Sequence, residues 1–218
     1  MYATVVEKSV VSILEFGSGW STLALSLGLA ENEKIFGESH RSMIRHPNPF
    51  QLWSLDASAS WQKVAIQRLN ADERKLVTPI TITPQITQVE NGICHLNDFL
   101  PNFTPDLVYL DGPDHNQVVG EFNSFKYDER FTPPMAADLI MLEPFFWPET
   151  LIISDGRTAN ARFLESRFKR NWQVMHDPFG DRTIFRLNET PFGEISSEHI
   201  SFRLLQSKVT QDKESPSR

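Results

Sequence analysis

The apolar run Val10–Phe16 stops at Gly17-Ser18-Gly19 and passes at once into Leu23, Leu27 and Ala30 at helical spacing. A β-rich run, a glycine turn and a helix in immediate succession leave few architectures open, because the turn must lay the helix back on the strand. Three later runs behave alike: LWSLD ending at Asp56, LVYLD at Asp111 and LIISD at Asp155. LVYL, set between Asp106 and Asp111, has the continuous apolar character of a strand buried on both faces. Helical spacing follows the second run at Trp61, Val64, Ala65 and Leu69, with Ser58 or Ser60 as the cap, and returns at Ala161, Leu164 and Phe168. This alternation predicts an α/β, Rossmann-like, doubly wound fold with a mostly parallel sheet and helices on both faces. Trp172–Met175 and Thr183–Leu187, divided by HDPFGDR, predict an antiparallel closing strand pair. Ligands of such sheets bind outside the carboxyl ends of the strands, which is where Asp56, Asp111 and Asp155 fall.

Other segments are less regular. Residues 31–50 are polar, carry two prolines and show no clean period, and read as an inserted loop or short helical cap over the substrate. Leu76–Leu96 is rich in Thr, Ile and Val, but Pro79 and Pro84 suit an edge strand or short hairpin better than a central strand. Met135–Glu143 predicts a helix with Pro144 and Pro148 at its exit. The 218 residues fit a single domain over 1–206, followed by a polar, disordered tail at 207–218.

Composition removes several classes of function. With 28 acidic against 21 basic residues, the net charge of −7 and the lack of a Lys/Arg block argue against nucleic acid as the main partner. Cys94 is the only cysteine, so intramolecular disulfides and cysteine-rich zinc sites are excluded. The longest apolar runs fall far short of the ~20 residues of a membrane span, and MYATVVEKSV lacks the features of a secretory signal. A cytoplasmic protein with a small-molecule partner is expected, and uncovered sheet edges near Pro79 and Pro84 leave room for a homodimer.

The segment Glu15-Phe16-Gly17-Ser18-Gly19-Trp20-Ser21-Thr22 is the most informative. Its glycines let backbone turn sharply and approach a ligand, and the next helix offers free N–H groups. A dinucleotide fingerprint would place glycine where Thr22 stands. Glu15, just before the first glycine, is out of place beside a pyrophosphate and suits a ligand with a cationic group. Asp56 fits an acid that accepts both hydroxyls of a ribose, and fits equally a cap on the following helix.

Taken in order, ILEFGSGWST, LWSLD, CHLNDFL, DLVYLDGPDH and LIISDG resemble the successive motifs of the class I S-adenosylmethionine-dependent methyltransferases, over residues 10–187. The ExGxGxST and LDGxDH forms look nearest to small-molecule and O-methyltransferase-like branches. The resemblance implies S-adenosyl-L-methionine as cofactor. It implies that Glu15, Gly17 and Gly19 hold the methionine end, with Ser21 where the common pattern has a third glycine. Asp56 then binds the ribose, Asp98 and Phe99 of the Asn97-Asp98-Phe99 loop meet the adenine, and Asp111 lies beside the sulfonium and the acceptor.

The reaction expected is transfer of a methyl group to an oxygen or nitrogen of a small molecule, a sugar or secondary metabolite among the options. An in-line displacement needs an aligned nucleophile and a base for its proton. His115 is the first choice as base, oriented by Asp111 or Asp114, while Asp155 orients substrate or caps the next helix. DGPDHN also has the composition of a solvated turn. Metal-dependent relatives carry Asp-Asn after the fifth strand. Here Asp155-Gly156 removes one oxygen ligand, so no metal is expected. Arg157 either clamps a substrate anion or pairs with an acid. Residues 31–50 and about 115–148 are expected to choose the acceptor. A nicotinamide-dependent oxidoreductase and a non-catalytic nucleoside-binding or partner subunit are the rival readings.

Overall fold

A computed structural model describes residues 1–90, 92–127 and 132–214, with side chains through 209. The stretch of about 115–148, expected from sequence to choose the acceptor, includes four residues, 128–131, outside the described ones. Chain order is α1 (Tyr2–Glu7), β1 (Ser12–Phe16), α2 (Trp20–Met43), β2 (Gln51–Asp56), α3 (Ala59–Gln67), α4 (Ala71–Leu76) and β3 (Val77–Thr81). Then come β4 (Pro84–Val89), β5 (Gly92–Asn97), β6 (Leu107–Leu110), α5 (Asp138–Leu142), β7 (Leu151–Asp155), α6 (Thr158–Glu165), β8 (Trp172–Asp177), β9 (Arg182–Leu187) and α7 (Gly193–Glu214).

The main sheet runs β3-β2-β1-β6-β7-β9-β8. Its first five strands are mutually parallel, and β9 is antiparallel to both β7 and β8. This is a Rossmann-like, mostly parallel α/β sheet with an antiparallel closing strand. The chain leaves β1 in one direction to β2 and returns on the other side to β6, so the switch point lies between β1 and β6. Pro79 falls in the edge strand β3 and Pro84 opens the separate β4–β5 hairpin, where a missing N–H costs no central ladder bond.

Alternate residues of the buried strands feed two cores. Ile13, Leu52 and Tyr109 pack with Leu25, Leu29 and Phe36 of α2 and Phe202 of α7 on one face. Leu14, Leu55, Val108 and Ile152 pack with Leu139, Leu142 and Leu164 on the other. Each such aliphatic side chain contributes about 1.5–3 kcal/mol by leaving water. No helix among the described residues is long and apolar enough to cross a membrane.

Two sequence expectations fail here. Residues 31–43 are the second half of α2, and the segment 31–50 does not cap the substrate region. Leu25, Leu29, Asn32, Phe36 and His40 form one buried stripe, so the helical period continues through residues that read as polar. Asn32 Nδ2 donates to Val5 O and Val10 O, both at 2.9 Å. At 24 residues α2 is about 36 Å long, far more than β1, so its end overshoots to the amino edge of the sheet. There His40 meets His199, opposite the carboxyl edge. The second correction concerns 207–218, where α7 continues to Glu214 and Ser207 reaches Ser9; residues 215–218 lie outside the described ones.

Candidate functional site

Strand register sets the site. Glu15 stands between Ser54 of β2 and Tyr109 of β6. Two residues further on, the same face of the sheet presents Asp56, Gly17, Asp111 and Asp155 side by side. Gly17 has φ of +93°, and a Cβ there would stand 2.9 Å from the Gly112 nitrogen. Gly112 returns the constraint, since its own Cβ would stand 2.8 Å from Gly17 Cα. The two glycines let the β1 and β6 loops touch backbone to backbone. Gly112–Pro113 is a cis peptide, and a 3-10 turn from His115 to Gln117 follows it.

A cleft of about 330 Å³ opens over this edge, lined by Gly17, Ser18, Asp56, Trp61, Ile82 and Asp111 among others. Asp56 holds its floor: Oδ2 accepts the Ser18 N–H and Oδ1 the Ser58 N–H, each at 2.7 Å. The Trp61 indole donates to Ser18 O at 2.6 Å and closes the rim. A second cleft of about 480 Å³ is lined by Asp111, Asp114, His115, Pro134, Arg157 and Asn160 among others. Asp111 and Asp114 line both clefts, which therefore meet at the end of β6.

Glu15 is not at the surface of either cleft. It is fully buried and accepts from Ser21 Oγ at 2.7 Å, Thr22 Oγ1 at 2.7 Å and Ser54 Oγ at 2.6 Å. Its expected contact with a cationic ligand is thus replaced by a hold on the loop: Thr22 Oγ1 also accepts the Gly19 N–H at 2.9 Å. Gly19 and Ser21 belong to this internal network, while Ser18, which shares a 2.9 Å bond with Ser54, faces the cleft. Burial pushes the Glu15 carboxyl up to about 7 although its hydroxyl donors pull the other way.

Asp111, whose side chain is half-exposed, is pushed up to about 6 by the partial burial of its carboxyl, against the opposing pull of Arg157 and with Asp155 and Asp114 adding to the rise. Arg157 stands 3.8 Å from Asp111 and 3.7 Å from Asp114, and its Nη2 donates to Asp111 O at 2.8 Å. Its partners are these two exposed acids, one of the pairings that the sequence left open. Asp155 accepts a short hydrogen bond from the Tyr109 hydroxyl, and burial with that bond pushes the Tyr109 hydroxyl further above its ordinary value. His115 lines the second cleft beside Asp114.

Asp98 and Phe99 fall elsewhere. Asp98 Oδ1 accepts the Thr83 N–H at 2.7 Å, and Phe99 stacks near Trp53 with centroids 6.4 Å apart. Neither lines the cleft, because β5 pairs with β4 in its own hairpin and turns this loop aside. Asp98 does fasten Thr83, the neighbour of Ile82 in the cleft wall. Sequence reasoning missed Ser54, Tyr109, Gly112 and Trp61. Ser54 inside the apolar LWSLD and the glycine of DGP were the available signals. Among the described residues, no group of three or more His, Cys, Asp or Glu is placed to hold a metal ion.

No family model matches the sequence, and no curated protein matches it. Among solved structures the chain is similar to a precorrin-6y C5,15-methyltransferase from Geobacter metallireducens GS-15. Identity is 11%, the match covers 86% of this chain and 87% of that one, and the TM-score is 0.41.

Proposed function

We propose that the protein is an S-adenosylmethionine-dependent methyltransferase acting on an oxygen or nitrogen of a small molecule. The observation that carries this reading is the acid-flanked glycine edge: Asp56, Gly17, Asp111 and Asp155 in one row, with Glu15 buried beneath. Such an edge attracts a ligand that is cationic at its centre and carries a ribose. It repels the pyrophosphate of a nicotinamide dinucleotide. The close approach at Gly17, which a Cβ would fill, fits a ligand lying directly on backbone.

In this reading Gly17 and Ser18 hold the methionine end and Asp56 the ribose. Ile82 and Trp61 offer apolar surface nearby. The bound cofactor supplies an electrophilic methyl group. The acceptor occupies the second cleft, which meets the first at Asp111 and Asp114. The chain's own part is to align the acceptor and take its proton. His115 is the assigned base, with Asp114 and Asp111 beside it. Asp155, tied to Tyr109, braces the edge. The second cleft also favours an enzyme over a pure binding module, because a nucleoside-binding subunit needs no room for an acceptor.

Thermal unfolding with S-adenosylmethionine, S-adenosylhomocysteine, NAD and NADP tests the cofactor. A ligand at 100 times its Kd stabilises by ~2.7 kcal/mol, roughly 5–11 °C for a chain of this size. A shift with the two adenosyl ligands alone is expected. A shift with NAD or NADP alone overturns the proposal in favour of an oxidoreductase.

A further inference from the structure

Among the described residues, Glu15 is a buried acid without an ion-pair partner. Its donors, Ser21, Thr22 and Ser54, are neutral hydroxyls. The ionisable groups around it come from every neighbouring strand. Asp56 is on β2, Tyr109 and Asp111 are on or just past β6, and Asp155 of β7 is reached through the Tyr109 hydroxyl. On the α2 side it meets only Ser21 and Thr22. Arg157 and Arg182 stand at this edge and both are committed elsewhere: Arg157 to Asp111 and Asp114, and Arg182, beside Asp155 and Tyr109, to Asp177. A buried carboxylate without a countercharge is costly, and a carboxyl group in that position lowers the cost by holding a proton.

The loop depends on the same group. Ser21 and Thr22 are in the first turn of α2, Thr22 orients the Gly19 N–H, and Ser54 links Glu15 to Ser18 in the cleft wall. A positive charge entering the cleft is therefore felt by Glu15 across one layer of hydroxyls and one turn of backbone. We propose that Glu15 is a positioning residue that exchanges a proton with solvent in step with the charge of the ligand in the cleft. It releases the proton as the sulfonium form enters and takes one up as the uncharged thioether product replaces it. This rests on the methyltransferase reading and deepens it: the edge separates substrate from product by charge. Burial already sets the Glu15 carboxyl at about 7, where such an exchange takes place near neutral pH.

The test is isothermal titration calorimetry of the whole protein between pH 6 and 7.5, in phosphate and in Tris, whose ionisation heats differ. An opposite charge one layer of hydroxyls away lowers a carboxyl by about 1 unit, the low end of the range for direct neighbours. S-adenosylmethionine should then release about 0.4 proton at pH 7 and bind roughly fourfold tighter at pH 7.5 than at pH 6. S-adenosylhomocysteine should show much less of either effect. Glu15→Gln should abolish the difference between the two ligands, and Asp138→Asn, a buried acid that lines neither cleft, should retain it. Binding of S-adenosylmethionine without proton release, or release that survives Glu15→Gln, overturns the role of Glu15 alone. Absence of any heat or thermal shift with S-adenosylmethionine overturns the cofactor reading and this role together. Where Glu15→Gln fails to fold, Ser54→Ala, which removes a hydrogen bond that lowers the Glu15 carboxyl, should move the proton release to higher pH, and release at an unmoved pH overturns the role of Glu15.

Discussion

At the scale of single residues, the closest constraint is the contact between Gly17 and Gly112. An alanine at 17 meets both a positive φ and a Cβ clash with the backbone of the neighbouring loop. Gly17→Ala is expected to cost about 1–3 kcal/mol in urea unfolding and to remove the thermal shift with S-adenosylmethionine. Gly112→Ala clashes equally but at an unexceptional φ, so it should lower stability less and still impair ligand binding. Unchanged ligand shifts in both variants would separate this contact from the cofactor site. The first glycine was legible from its place after an apolar run. The second was not, because LDGPDH reads as an ordinary turn until β6 is known to lie against β1. Glu15 shows the same limit: its type and position were legible, but its burial under three hydroxyls depends on Ser54, a residue from another strand.

At the scale of elements, α7 is fastened to the amino edge of the sheet by one carboxylate. Asp106 Oδ2 accepts the Val11 N–H at 2.8 Å, and Oδ1 accepts from His199 at 2.8 Å and Arg203 at 2.7 Å. Burial acts to raise the Asp106 carboxyl, but Arg203 and His199 outweigh it and hold it well below the ordinary carboxylate range. Breaking a buried pair of this kind typically costs 3–5 kcal/mol, about that much being expected for Arg203→Met. Equilibrium unfolding measures the loss, and hydrogen exchange should show α7 amides losing protection before those of β1. A loss below about 1 kcal/mol, within the range of surface pairs, would show that α7 is held by its apolar contacts instead. The helix escaped sequence reading because its anchors are polar. His199 and Arg203 count as surface residues until Asp106 and His40 are found beside them.

At the scale of the whole molecule, buried ionisable groups give the stability a shape in pH. Burial holds His40 and His46 down at about 4 and His95 at about 3. The folded chain binds fewer protons there than the unfolded one, so stability present above about pH 6.5 is lost as pH falls. Burial also pushes Glu15 up to about 7 and Asp111 and Asp138 to about 6. At these acids the folded chain binds more protons, and stability is lost as pH rises through 6 to 7. The gains at the histidines and the losses at the acids fall in the same window and largely cancel, so urea unfolding should find a nearly flat profile between about pH 4.5 and 8, with loss below about pH 4. Glu15→Gln removes one of the opposing acids, so the stability of that variant should rise as pH rises from about 4.5 to 7. A profile of the unsubstituted protein that rises steeply between about pH 4.5 and 7 would contradict the raised carboxyls.

The sequence by itself determined the parallel α/β sheet, the place of the glycine turn and the three aspartates at strand ends. These rest on local chemistry: apolar runs long enough for a buried strand, glycine where the chain must turn, and acids where strands meet water. Tertiary structure alone decided which of these groups meet. Register placed Glu15 under Ser54 and Tyr109, hairpin pairing of β4 with β5 drew Asp98 and Phe99 from the cleft, and α2 carried residues 31–43 to the opposite edge. Such outcomes depend on contacts between residues far apart in the chain, and hydrogen bonds and burial at those contacts have no signature in the local pattern.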